Sequence, residues 1–129
     1  MLELVTGGPP WATRNVQLLT AFAPLLLLTG VLGFVLPPQM SLMSGAPPYN
    51  VFHLLAGATG LALVVTRQVS GVIAFNLVFG LIDLYQALAG VTGLFPAHFF
   101  ALRPADHVVH IVVGAVLVGV GYQGKREQS

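Results

Sequence analysis

The stretch Asp106–Gly121, DHVVHIVVGAVLVGVG, decides how the whole chain is read. It is an apolar run of the kind that crosses a bilayer, where about 20 residues rising 1.5 Å each cover the hydrocarbon. Yet it opens on an acid and two histidines. Residues able to do chemistry and residues that must sit in lipid share one helix. A second stretch, Asn50–Ala58 (NVFHLLAGA), echoes it.

Working outward, the composition fits the same reading. Of 129 residues 56% are hydrophobic and only 7% charged, against about 25% charged in soluble domains. A soluble fold of this size has too little interior to hide so much apolar surface, and lipid removes the difficulty. The formal net charge of +1 leaves no basic patch for a nucleic-acid partner. With no cysteine, disulfides, thiolate metal sites and cysteine nucleophiles are excluded.

The pattern predicts an all-α, polytopic membrane protein: one integral domain over 1–129, a four-helix bundle with helices at about 14–36, 48–66, 69–95 and 104–123. Met1–Ala12 reads as a lead broken by Gly7-Gly8-Pro9-Pro10, with Trp11 suited to the membrane interface. Thr13 is the expected N-cap, and Pro24 predicts a kink in the first helix. The run from Val16 to Leu36 is longer than the ~7–15 residues of a signal-peptide core, so it reads as a retained helix. Pro37-Pro38 ends it. Arg67-Gln68 is a tight connection that makes an antiparallel hairpin of the second and third helices. Pro96 stops the third helix, and Pro104 suits the first turn of the fourth. Arg14, Arg67, Lys125 and Arg126 fall on one side and Arg103 on the other. The positive-inside rule then predicts both termini in the cytoplasm of a bacterial inner membrane.

The two halves resemble each other. His53-Leu54-Leu55-Ala56-Gly57-Ala58 matches His110-Ile111-Val112-Val113-Gly114-Ala115, and Gly30-Val31-Leu32-Gly33 matches Gly90-Val91-Thr92-Gly93. Two repeated helical hairpins are expected, related by an axis along the membrane normal. At 1.5 Å per residue His53 and His110 lie at one level, roughly 8–9 Å below the outer ends of their helices. Small and polar residues form a stripe on three helices: His53, Gly57, Gly60 and Val64; Asn76, Gly80, Asp83, Ala87 and Gly90; His107, His110, Gly114, Leu117 and Gly121. In lipid such stripes face other helices, which predicts the bundle core.

Asp83 is the costliest of these residues, with a penalty of about 2.5–3.5 kcal/mol for an acid at mid-membrane. It must hold a proton or find a partner, and Gln86 lies one turn away on its face. It is either a structural acid or part of a proton or ion relay. Asp106 suits the positive end of its helix as a cap, or orients His110 four residues on. For His53 and His110 three roles compete. They bond across the bundle to Asn50, Asp106 or backbone carbonyls; they bind a divalent metal together with Asp106 or His107; or they are the axial ligands of a haem b. Asn76 is expected to bond across the core, and His98 to be solvated. No phosphate loop, nucleophile elbow or acid–base carboxylate pair is present, so no catalytic residue is assigned.

Asn50-x-x-His53-x-x-x-Gly57, Gly80-x-x-x-x-Tyr85, Gly90-x-x-Gly93 and Asp106-x-x-x-His110 resemble an uncharacterised bacterial family of four-span membrane proteins, a domain of unknown function. The resemblance covers about Asn50–Tyr122, and Asp83 departs from the pattern. It implies four helices with both termini cytoplasmic, and no activity. The expectation is therefore a small, non-enzymatic structural or accessory membrane subunit. Its partners would be the bilayer and other membrane subunits of a larger complex. The rivals are a haem- or metal-binding redox module on His53 and His110, and a proton-coupled small transporter using Asp83.

Overall fold

A computed structural model describes residues 8–128. The first seven residues of the expected lead Met1–Ala12 lie outside them. The described chain is helical, with α1 at Pro10–Val35, α2 at Pro47–Val65, α3 at Val69–Thr92 and α4 at Pro104–Gln128. A single 3-10 turn, Pro38–Met40, lies between α1 and α2. All four helices are long and apolar enough to cross a membrane, and the protein is a multi-pass membrane protein.

The ends of the helices differ from the sequence expectation for local reasons. α1 begins at Pro10 rather than near Arg14, because proline at the first position gives up an N–H that has no helical partner there. Thr13 is consequently inside the helix and is not its cap. α1 also runs on through Pro24 as one helix. α3 ends at Thr92, three residues short of Phe95, because Gly93 takes the left-handed conformation at φ 77° and closes the helix through Ala89 O. α4 continues to Gln128 with Lys125 and Arg126 in its last turn, where cations suit the negative helix end.

α1 packs mainly along α2, and α3 mainly along α4. The connection from α2 to α3 is as tight as expected, turned by Arg67 at φ 60°, but those two helices share little surface. Small residues set the close pairings. A Cβ added at Gly57 would lie 2.9 Å from Leu27 N and 3.0 Å from Ala23 O, and one at Gly114 would lie 2.9 Å from Gly80 O. Both helix pairs thus approach backbone to backbone at a glycine, which dispersion rewards in a medium where lipid and leucine are equally apolar.

The predicted stripes are the interior. His53, Gly57, Gly60 and Val64 are buried on α2; Asn76, Gly80, Asp83 and Ala87 on α3; His110, Gly114, Leu117 and Gly121 on α4. Phe75, Phe79 and Phe52 stack through the middle of the bundle at centroid distances of 5.3 and 5.6 Å, and Phe22 meets Phe79 edge to face at 5.7 Å. Outward faces carry Leu25, Leu28, Val31, Leu55, Val78, Leu81, Val108 and Ile111. Those side chains suit lipid.

Candidate functional site: a polar cluster and cavity within the bundle

Two polar ties close the bundle at opposite ends. At the end holding the start of α1 and the end of α4, Asn15 is fully buried. Its Nδ2 donates to Trp11 O (2.7 Å) and to Val120 O (3.1 Å). Asn76 Nδ2 in turn donates to Asn15 Oδ1 (3.0 Å) and Asn15 O (3.2 Å). Asn76 therefore bonds across the core as its sequence position suggests, and it ties α3 to α1 and, through Asn15, to α4. Interhelical bonds of this sort average about 0.6 kcal/mol in membranes.

At the other end the organiser is Tyr49, a residue that sequence reasoning overlooks. It is fully buried in the first turn of α2. Its hydroxyl lies 3.0 Å from Asp106 Oδ1 and 2.7 Å from His110 Nε2. Asp106 Oδ2 also accepts from Ser44 N and Arg103 N, each at 2.8 Å. Asp106 thus reaches back to the residue that precedes α4, which is one half of a capping box, and it holds the α1–α2 loop as well. Asp106 caps α4, as one sequence reading has it, and its link to His110 runs through the Tyr49 hydroxyl rather than by direct contact. Ser44 Oγ donates to Phe100 O (2.5 Å) and Arg103 Nη1 to Ser41 O (2.5 Å), so the two loops at this end are laced together.

With Asp106 as a carboxylate, the proton count gives this chain a direction. A phenol has one proton to give. Asp106 already accepts two N–H bonds, so it is the acceptor for the Tyr49 O–H. The Tyr49 oxygen then accepts from His110, which makes His110 the Nε2–H tautomer. Its Nδ1 is left as a bare lone pair, and that atom is buried without a partner.

His53 and His110 each lie six residues into their helices, counted from Pro47 and Pro104, and share one cavity. This space of about 230 Å³ is walled by all four helices, with His53, Asp83 and His110 as its polar lining and Phe22, Leu26 and Phe79 among its apolar walls. Asp83, lower in the bundle by the residue count, still borders it. The three side chains are 5%, 4% and 3% exposed. Among the described residues Asp83 makes no hydrogen bond. Its expected partner Gln86 is buried with Oε1 unpaired, and Tyr85 turns outward to donate to Phe95 O. His53 does not bond Asn50, whose Nδ2 donates to Gly45 O (2.8 Å). It packs against the Tyr49 ring at 4.2 Å between centroids, with Nδ1 unpaired. His98 is exposed in its loop.

The predicted metal set of His53, Asp106, His107 and His110 is not assembled. Among the described residues no group of three or more His, Asp or Glu side chains is placed to hold a metal ion. His107 lies against Gly90 on α3, and Asp106 is occupied by three donors. Nor do the residues fit a haem. Tyr49 holds His110 Nε2 and packs on His53, and the cavity is smaller than the ~300–1,000 Å³ of ordinary ligand pockets.

No family model, no curated protein and no solved structure matches the chain.

Proposed function

We propose that the chain is a non-enzymatic structural or accessory subunit of a larger assembly in a bacterial inner membrane, with both termini in the cytoplasm. The observation that carries this reading is the use made of its polar side chains. Asn15, Asn76, Tyr49, Asp106 and Ser44 bond helix to helix or loop to loop. Among the described residues little chain lies outside the spans, and the two longest connections, 36–46 and 93–103, have eleven residues each. The outward faces are left for lipid or for neighbouring spans. Extraction in mild detergent followed by native mass spectrometry tests the proposal. It predicts a defined partner at fixed stoichiometry, and a lone 13.6 kDa chain in every preparation would contradict it.

The same reading takes the two hairpins as repeated units and the chain as kin to the four-span family it resembles. Gly57 and Gly114 support the repeat, since each follows its histidine by four residues and abuts the backbone of its own hairpin partner.

A second reading, proton-coupled transport through Asp83, is favoured by one observation: this buried acid borders a cavity and has no hydrogen-bond partner. Reconstituted vesicles would show pH-driven uptake that Asp83→Asn abolishes, and uptake unchanged in that variant would remove the reading.

A further inference from the structure

The polar lining of the central cavity is unbalanced. Asp83 offers two carboxyl oxygens and makes no hydrogen bond among the described residues. His110 borders the same space. His53 contributes one N–H and one further acceptor. The Thr29 hydroxyl is already donated to Leu25 O. No Lys or Arg lines the space. Acceptors therefore exceed donors, and an acid stands in apolar surroundings without a cation.

The cavity also leads somewhere. A groove of about 180 Å³ between α1 and α4, lined only by apolar side chains, shares Phe22, Leu25 and Val113 with it. Leu25 is 57% exposed and Val116, further along, 48%, so the groove opens on the lipid-facing surface.

We propose that cavity and groove together bind a lipophilic amine. The ammonium head pairs with Asp83, and the apolar body lies along the α1–α4 groove. An ammonium brings what the lining lacks, three N–H donors and one positive charge, and the resulting pair is neutral as a whole. The Phe22 and Phe79 rings beside it suit a cation over a neutral head. The cavity holds a head group rather than a whole drug-sized molecule, which is why the body is assigned to the groove. A carboxylate ligand would face Asp83, and a ligand with acceptors alone would leave the lone pairs unmatched.

Equilibrium dialysis with the full chain in nanodiscs of neutral lipid tests this, using 3-phenylpropylamine as probe and 3-phenylpropanol and 3-phenylpropanoate as its neutral and anionic counterparts. The proposal predicts saturable binding of one amine per chain and at least about tenfold weaker binding of both counterparts. Asp83→Asn should lower amine affinity about thirtyfold or more, since a buried charge loses its partner. Should that variant not fold, Val113→Trp, which fills the junction of cavity and groove, must abolish binding by itself. Equal affinity for amine and alcohol would overturn the proposal. So would amine binding undiminished in either folded variant, or no saturable binding at all.

Discussion

The Tyr49 hydroxyl stands between Asp106 and His110, 3.0 Å from one and 2.7 Å from the other. Two segments far apart in sequence meet at that oxygen, the start of α2 and the start of α4, and Asp106 also holds the loop at Ser44. Removing it orphans buried groups on both sides. Tyr49→Phe keeps the ring and should destabilise the bundle by about 1–3 kcal/mol, the cost of leaving buried polar atoms unpaired. Reversible unfolding in mixed micelles measures it, and a change below about 0.5 kcal/mol would mean that the bridge carries no weight.

The opposite end offers a cleaner partition. Asn15 and Asn76 bond to each other directly, so a double-mutant cycle with Asn15→Ala and Asn76→Ala isolates their coupling. It should fall near the membrane average of about 0.6 kcal/mol and below about 1.7 kcal/mol. Strict additivity of the two substitutions would deny the contact.

Two glycines of α4 should respond in opposite ways to alanine. At Gly114 the new methyl meets Gly80 O at 2.9 Å, whereas at Gly119 nothing lies within 4 Å. Gly114→Ala should push α3 and α4 apart and lower the unfolding midpoint. Gly119→Ala should be neutral or stabilising by up to about 1 kcal/mol through helix propensity. Equal effects at both positions would show that the α3–α4 contact is misplaced.

Chelation distinguishes the bundle described above from a metalloprotein. Among the described residues no three ligands converge, so exhaustive treatment with a strong chelator should leave the thermal midpoint unchanged. A chelator-dependent fall, reversed by zinc, would require a ligand set that the fold does not assemble.

The spans were legible because lipid imposes a simple rule: long apolar runs must be helices. The inward faces were legible too, since Gly57, Gly114, Asn76 and Asp83 stand out against leucine and valine. Tyr49 was not, because an aromatic residue after Pro47-Pro48 reads as an interface anchor. The signal available was its position, one helical turn before His53 on the same face. Asn15 was hidden because it stands among other polar residues, Thr13, Arg14 and Gln17, in a region that reads as a helix start. The metal set failed for a reason invisible to spacing. Asp106 and His110 do lie on one face, but Asp106 is consumed by Ser44, Arg103 and Tyr49, and His107 points at Gly90.

With Asp106 as a carboxylate, the bridge at Tyr49 sets the tautomer of His110, and nitrogen-15 NMR of that imidazole in lipid tests it most directly. The account predicts a proton on Nε2 and a bare Nδ1, with the pattern lost in Tyr49→Phe. A proton on Nδ1 in the unaltered chain, or a spectrum indifferent to Tyr49→Phe, would contradict it.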